Sequence, residues 1–223
     1  MDKKVALIGA SGFAGSAILK ELLDRGYKVE ALVRKPDKIR INNPNLSVKK
    51  LDVSDEQALV DALKGYENVI SAYNPGWQNP HIYEDTLTNY PKILEAAKKA
   101  KVKRLLIVGG AGTLFVKPGL RLIDSGALPE AWLPGVKSLG EFYLNTLNKE
   151  NDIDWVFFSP AANLGDLGAK GPGKRTGKYR LGKDDLITDA DGNSFISVED
   201  YAKAMVDELE SPAHHKERFT IGY

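Results

Sequence analysis

The hydrophobic positions along the chain follow two spacings. Short apolar runs bounded by glycine, proline or polar residues are typical of buried strands, whereas apolar residues three and four positions apart are typical of amphipathic helices. The strand pattern occurs at residues 4–8, 28–33, 46–51, 67–72, 104–108, 153–158, 194–198 and 219–222. The helix pattern follows residue 13, covers 55–63 and 84–101 with an interruption at Pro91, and resumes at Val136 and after Ser197. Strands and helices therefore alternate along the chain.

This alternation predicts an α/β fold of the Rossmann type, in which a doubly wound, mostly parallel sheet lies between two layers of helices. With 223 residues and no internal repeat or linker, we expect residues 1–223 to form a single domain with a small C-terminal substrate lobe. Three irregular stretches are predicted to form substrate loops, at about residues 73–86, 113–135 and 159–185.

The turn after the first strand carries three glycines in a G-x-x-G-x-x-G spacing, one residue longer in its first gap than the usual dinucleotide-binding fingerprint. Gly9 allows a sharp turn, Gly12 leaves room for a pyrophosphate against bare backbone, and Gly15 allows close helix packing. The amides of residues 11–14 would then meet the pyrophosphate at a helix N-terminus. We interpret this turn as a dinucleotide-binding site; the alternative is a plain structural turn.

The second strand ends in Arg34 and Lys35, which suit a 2′-phosphate, whereas an acidic residue near that position would suit the 2′-hydroxyl of NAD. Glu30 lies too early in the strand for that role. The sequence therefore favours NADP(H), with NAD(H) possible, unless Arg34 is simply a solvated strand-end charge. Asp52, at the end of the third strand, either meets the adenine or is a polar turn residue.

Aromatic side chains cluster in an irregular loop after the fourth strand, between two prolines and a glycine. Tyr73, Trp77 and Tyr83 could form a flat stacking surface over a ligand, or the loop could lie on the surface with its aromatics tucked into the body. His81 in the same loop could donate a proton near neutral pH, although a lone loop histidine is often incidental.

The charge balance excludes several classes of partner. The 31 basic and 30 acidic side chains nearly cancel, so attraction to nucleic acid or to an anionic membrane is not indicated. No apolar run approaches the roughly 18 residues of a membrane span, and no signal peptide is evident. The chain has no cysteine, which rules out disulfides and thiolate metal ligands. We predict a cytoplasmic protein without a metal site, a monomer or a homodimer.

Together, the glycine turn, Arg34, Asp52-Val53, Ser71-Ala72-Tyr73 and Ser159-Pro160-Ala161 resemble the short-chain dehydrogenase/reductase superfamily. The similarity is greatest to its small atypical members: NmrA-like and NAD(P)H-binding proteins, flavin and biliverdin reductase B-like enzymes, and small chains of the NAD-dependent epimerase/dehydratase type. The resemblance implies that one set of residues holds a nicotinamide nucleotide. These residues are Gly9, Ser11, Gly12, Phe13, Ala14, Gly15, Arg34, Lys35, Asp52, Val53, Ser71, Ala72, Tyr73, Gly109, Gly110, Lys137, Ser159, Pro160 and Ala161.

The chain departs from the superfamily at its catalytic groups. Complete members carry a Ser or Thr after the fifth strand and a Tyr-x-x-x-Lys on the next long helix, but here Leu133 stands four residues before Lys137. The nearest hydroxyl after the fifth strand is that of Thr113. A matching string at residues 179–183 follows the sixth strand in a glycine-rich setting, so we do not interpret it as a catalytic pair. The candidate catalytic residues are Lys137, Thr113, Tyr73 and His81. Lys137 would hold the nicotinamide ribose through its ammonium group, or it is a helix-surface lysine paired with Glu141.

These features lead to a prediction of function. Without a tyrosine acid, the simplest chemistry is hydride transfer from NADP(H) to a small conjugated acceptor, such as a flavin or quinone, that needs little help from a protein proton donor. Two alternatives stay open: an NAD-dependent sugar epimerase/dehydratase-like enzyme, and a non-catalytic NADP(H)-sensing regulatory protein. The expected partner is a small-molecule acceptor.

Overall fold

The structure, a computed structural model, describes residues 3–165 and 175–223. Its strands alternate with helices for most of the chain, as the hydrophobic pattern predicts. The strands are β1 (Lys4–Ile8), β2 (Lys28–Val33), β3 (Leu46–Lys50), β4 (Asn68–Ser71), β5 (Arg104–Val108), β6 (Phe115–Lys117), β7 (Leu120–Arg121), β8 (Asp154–Ser159), β9 (Asn163–Leu164), β10 (Arg180–Gly182), β11 (Phe195–Ile196) and β12 (Glu217–Gly222).

Five α-helices connect these strands in the described ranges. They are α1 (Phe13–Asp24), α2 (Glu56–Leu63), α3 (Ile82–Lys99), α4 (Leu133–Asn145) and α5 (Val198–Glu210). Short 3-10 turns precede β3, follow β7 and lead into α4, at Pro36–Lys38, Leu122–Asp124 and Glu130–Trp132 respectively.

Eight strands form the central sheet in the order β10-β12-β8-β5-β4-β1-β2-β3, and all neighbours are parallel except β10 and β12. One face packs against α1 and α5 through a core that includes Leu22, Tyr201 and Met205. The other face packs against α2, α3 and α4 through a second core that includes Leu59, Ile93 and Phe142. The predicted three-layer Rossmann-type fold is confirmed.

Two local predictions were wrong. Pro91 lies within α3, which runs without interruption because the neighbouring apolar residues Tyr90, Ile93 and Leu94 are all buried on the sheet and offset the one backbone hydrogen bond that proline cannot make. The loop predicted at residues 113–135 contains a small hairpin of β6 and β7, and α4 begins at Leu133 instead of Val136.

The C-terminal residues extend the central sheet through β12, and α5 is fastened by a buried carboxylate. Asp200 accepts hydrogen bonds from Thr176, Gly177 and the hydroxyl of Tyr223. Burial opposes ionisation, but these donors outweigh it and hold the pKa of Asp200 below its usual range. Of the predicted substrate loop at 159–185, residues 166–174 lie outside the described ranges.

Candidate functional site

A cleft of about 650 Å³ opens at the carboxyl ends of the central strands. The residues that follow β1, β2, β4, β5 and β8 line it, because parallel strands end at a common edge of the sheet. The first turn of α4 closes one side of this cleft. Open α/β sheets bind their ligands in such a crevice, and the volume suits a nucleotide together with a small second ligand.

The glycine turn is packed too tightly for side chains. Gly9 has a φ of 78°, and a Cβ on it would lie 2.5 Å from the carbonyl oxygen of Ala72. A Cβ on Gly15 would lie 2.1 Å from the carbonyl oxygen of Gly9. The first turn of α1 is therefore held against the end of β1, while Gly12 and Phe13 line the cleft beside it.

The N-terminus of α1 is suited to an anion. Gly12 is its N-cap residue, and within residues 3–165 and 175–223 no side chain caps the first-turn amides. Ser11, Phe13 and Ala14 line the cleft at this point. Unpaired amides and the helix dipole together favour a phosphate group. This bare cradle fits the pyrophosphate of a dinucleotide, as the glycine spacing predicts.

Three cations lie at the end of β2. Arg34 and Lys35 line the cleft, and the short 3-10 turn after them brings Lys38 to the same place. The sequence interpretation missed Lys38, because only the turn geometry returns it to the strand end. Asp52, by contrast, is not among the described lining residues; the amide of Ser54, with Arg34 contributing, lowers the pKa of its carboxyl group.

Several predicted cofactor residues stand behind the cleft wall. Ser159 is fully buried and donates a hydrogen bond of 2.9 Å to the carbonyl oxygen of Gly110, which lines the cleft. Ser71 is buried in the last position of β4. These two serines and Gly15 lie behind the residues that line the cleft. Six further predicted cofactor residues line the cleft itself: Val53, Ala72, Gly109, Gly110, Pro160 and Ala161.

Aromatic and aliphatic side chains line the cleft near α4. Trp77 is 52% exposed, and its ring centroid lies 6.2 Å from that of Trp132. Gly135 permits this arrangement, because a Cβ there would lie 2.9 Å from the Trp77 ring. Trp132 was not predicted as a site residue, since it becomes a wall of the cleft only through the 3-10 turn before α4. Leu122, Leu128, Val136 and Leu139 continue the apolar lining.

Tyr73 and Thr113 are the candidate catalytic residues that the structure brings to the cleft. Tyr73 accepts a hydrogen bond from Asn89, and burial raises the pKa of its phenol, so the group is neutral and keeps its proton. Thr113 is 4% exposed and accepts a 2.7 Å hydrogen bond from Nη1 of Arg218. Its hydroxyl therefore retains a proton for a second partner.

Lys137 and His81 are not brought to the cleft: neither is among its described lining residues. The Lys137 side chain is 61% exposed on the outer face of α4, 4.0 Å from Glu141. Tyr83 points the same way, with its hydroxyl 2.5 Å from Glu141, so only Tyr73 and Trp77 of the three predicted aromatics face the cleft. Lys137 is thus a helix-surface residue beside Glu141, and its role at the cofactor stays a prediction.

The tyrosine and lysine at positions 179 and 183 do not form a catalytic pair. They flank β10, an edge strand, instead of lying one turn apart on a helix. The hydroxyl of Tyr179 lies 2.6 Å from Asp207, and Lys183 pairs with Glu217. This observation agrees with the interpretation drawn from the flanking glycines.

Comparison with known proteins gives consistent results. A family model described as NAD(P)H-binding matches residues 9–212. YwnB of Bacillus subtilis (strain 168) is 40% identical over 98% of this chain and 97% of its own length. The chain also matches plant cinnamoyl-CoA reductases, of which it spans about half the length.

Two solved structures are similar over nearly their whole length. A "putative epimerase" from Bacteroides thetaiotaomicron is 59% identical, with a TM-score of 0.91 over 100% of this chain and 98% of its own. A "putative NADH-flavin reductase" from Streptococcus pneumoniae is 35% identical, with a TM-score of 0.80 over 98% of both chains. These matches confirm the predicted resemblance to atypical short-chain dehydrogenase/reductases. No helix in the described ranges has the length and apolar character to traverse a bilayer.

Proposed function

This chain belongs to the NAD(P)H-binding family, and from that premise we propose that it is an NADP(H)-dependent reductase acting on a small conjugated acceptor such as a flavin or quinone. The observation that carries the proposal is the division of the cleft. A helix start without a side-chain cap and three cations lie at one end, and an apolar aromatic wall lies at the other.

The charged end supports the choice of NADP(H). The amides at the start of α1 would hold the pyrophosphate, and Arg34, with Lys35 and Lys38 beside it, would bind a 2′-phosphate. Val53, after β3, and Ala72, after β4, line the cleft with apolar side chains on either side of these two anion sites. Gly109 and Gly110 would let the nicotinamide lie close to the backbone after β5.

The other end supports hydride transfer without a strong protein acid. When bound, a reduced nicotinamide would supply a hydride, and this hydride together with one proton from water would convert a quinone to a hydroquinone. The protein contributes orientation and exclusion of water. Thr113 would donate a hydrogen bond to the acceptor oxygen, because Arg218 holds its hydroxyl as an acceptor and leaves its proton free. Tyr73 would line the cofactor side of the cleft.

A second candidate follows from the similarity to the Bacteroides protein named as an epimerase. Sugar epimerisation needs an acid that exchanges a proton with a hydroxyl, as well as polar side chains that bind the sugar. Leu133 stands where the superfamily has its tyrosine, and the wall near α4 consists of tryptophan, leucine and valine. The reductase is therefore the better-supported function.

The test is an acceptor screen with purified protein and either NADPH or NADH. The reaction is monitored as the loss of absorbance of the reduced nicotinamide. We expect NADPH-dependent reduction of a flavin or quinone, slower with NADH. Tight NADPH binding without oxidation across the panel would contradict the reductase and favour the sensing role.

A further inference from the structure

The cleft separates its charges from its apolar lining. Among the described lining residues, charged side chains occur only at Arg34, Lys35 and Lys38, which follow β2. The wall near α4 lies beyond β5. Three inter-strand spacings, from β2 through β1 and β4 to β5, place roughly 14 Å between the two ends. That distance exceeds the Debye length of about 8 Å at physiological ionic strength, so the cations give little attraction to an anion near α4.

The apolar end of the cleft is a compartment formed by a defined set of side chains. We define the acceptor compartment as Trp77, Leu122, Leu128, Trp132, Val136 and Leu139, all of which line the cleft. Trp77 is seated over Gly135, where a Cβ would also lie 2.7 Å from Ile82. The loop after β4 and the start of α4 are thus locked together at this point. None of the six side chains carries a charge, and only the two tryptophans can donate a hydrogen bond, one each.

We propose that the acceptor compartment selects planar aromatic acceptors that carry no charge, and discriminates against the same ring systems when they bear an anionic group. The inference rests on the proposed function and adds its substrate class. A flat uncharged ring gains contact with tryptophan and leucine side chains, whereas a phosphate or sulfonate would lose water without gaining a partner among the six residues. Thr113 would supply one hydrogen bond, which suits a carbonyl oxygen and does not neutralise an anion, and Arg218 behind it is already paired with Asp184.

Matched acceptor pairs test the discrimination. Riboflavin and riboflavin phosphate share one ring system and differ by a phosphate, and naphthoquinone and its sulfonate provide a second pair with the anion on the ring itself. With NADPH saturating, we expect kcat/KM to be at least about tenfold higher for the uncharged member of each pair. Equal values, or a preference for the anionic members, would overturn the inference and leave the reductase assignment intact.

A charge placed in the compartment should reverse the effect. Leu128→Arg adds a cation at a half-buried lining position, and we expect the preference for riboflavin to fall below about twofold or to invert. Leu181→Arg is the matched control, because Leu181 is 51% exposed on the edge strand β10, outside the cleft. The control should keep the wild-type preference. An unchanged preference in Leu128→Arg, with NADPH affinity retained, would contradict the role of the compartment.

The selectivity of the acceptor compartment can also be tested if the protein is not a reductase. If NADPH binds and no acceptor is reduced, binding of each flavin to the NADP-saturated protein is measured by quenching of tryptophan fluorescence, since two of the three tryptophans line the compartment. A tenfold preference for riboflavin over its phosphate would then support the inference without the reaction. Equal binding, or no binding of either flavin, would overturn it.

Discussion

Replacing Gly9 by alanine tests whether the turn after β1 is a nucleotide cradle set by close backbone contact. The φ of Gly9 is 78°, and an added Cβ would lie 2.5 Å from the oxygen and 2.8 Å from the carbon of the Ala72 carbonyl. Gly26 provides a matched control, because its φ is 77° and nothing lies within 4 Å of its added Cβ. Both substitutions strain the backbone, but only Gly9→Ala collides with Ala72, the residue after β4.

The two costs can be separated. A left-handed conformation costs an alanine about 1–2 kcal/mol. Forcing an extra carbon into packed surroundings typically costs about 1–3 kcal/mol more. Gly26→Ala should therefore lower the free energy of unfolding by about 1–2 kcal/mol, and Gly9→Ala by about 2–5 kcal/mol. The expected difference of about 1–3 kcal/mol measures the close approach of the turn to β4.

Urea unfolding monitored by tryptophan fluorescence measures both values, and NADPH titration connects them with function. A shift of the turn moves the amides at the start of α1, so Gly9→Ala should weaken NADPH binding by about tenfold or more, while Gly26→Ala leaves it within about twofold. Equal destabilisation of the two variants, or unchanged NADPH affinity in folded Gly9→Ala, would refute the reasoning.

Three further predictions concern single side chains. Arg34→Ala should weaken NADPH binding by about 5–30-fold, the loss of one exposed charge-assisted contact, and leave NADH binding within about twofold, as measured by titration of each nucleotide. Asp200→Asn should make unfolding less dependent on pH: the carboxyl group has a lowered pKa, so its stabilisation is present above about pH 4 and is lost as the pH falls through the folded-state value. The free energy of unfolding is measured with urea for the wild type and for Asp200→Asn, from pH 6 down to about pH 2. A parallel loss of stability in the two proteins would contradict the prediction. Thr113→Val should lower kcat/KM for quinones by about two- to tenfold and the free energy of unfolding by about 1–3 kcal/mol, because Arg218 loses its acceptor; unchanged steady-state and unfolding parameters would exclude both roles.

Local sequence patterns were sufficient to predict the central sheet and the close packing of the glycine turn after β1. The strand β5 has the predicted bounds, and the glycines at 9 and 15 are required for the close contacts that their spacing suggests. Such features depend on residues near one another in the chain. Pro91 shows the opposite case, because α3 stays continuous through packing in the second core and against α2 and α4, which the residues around Pro91 do not reveal.

The candidate site was only partly predictable for a related reason. Helical periodicity identifies the apolar stripe of α4, but it does not say which residues of that helix reach the cleft, and Lys137 is not among the described lining residues. Trp132 and Lys38 enter the site through short 3-10 turns. The conformation of such turns depends on tertiary packing, so neither residue carries a local signal of its role.

The central claim is that the backbone amides at the start of α1 bind the pyrophosphate of a nicotinamide nucleotide. A crystal structure of the protein grown with saturating NADP tests it most directly. We expect pyrophosphate oxygens within hydrogen-bonding distance of the Phe13 and Ala14 amides, with Arg34 on the 2′-phosphate and the nicotinamide facing the acceptor compartment. Nucleotide bound elsewhere, or a cleft closed by its own side chains at that concentration, would contradict it.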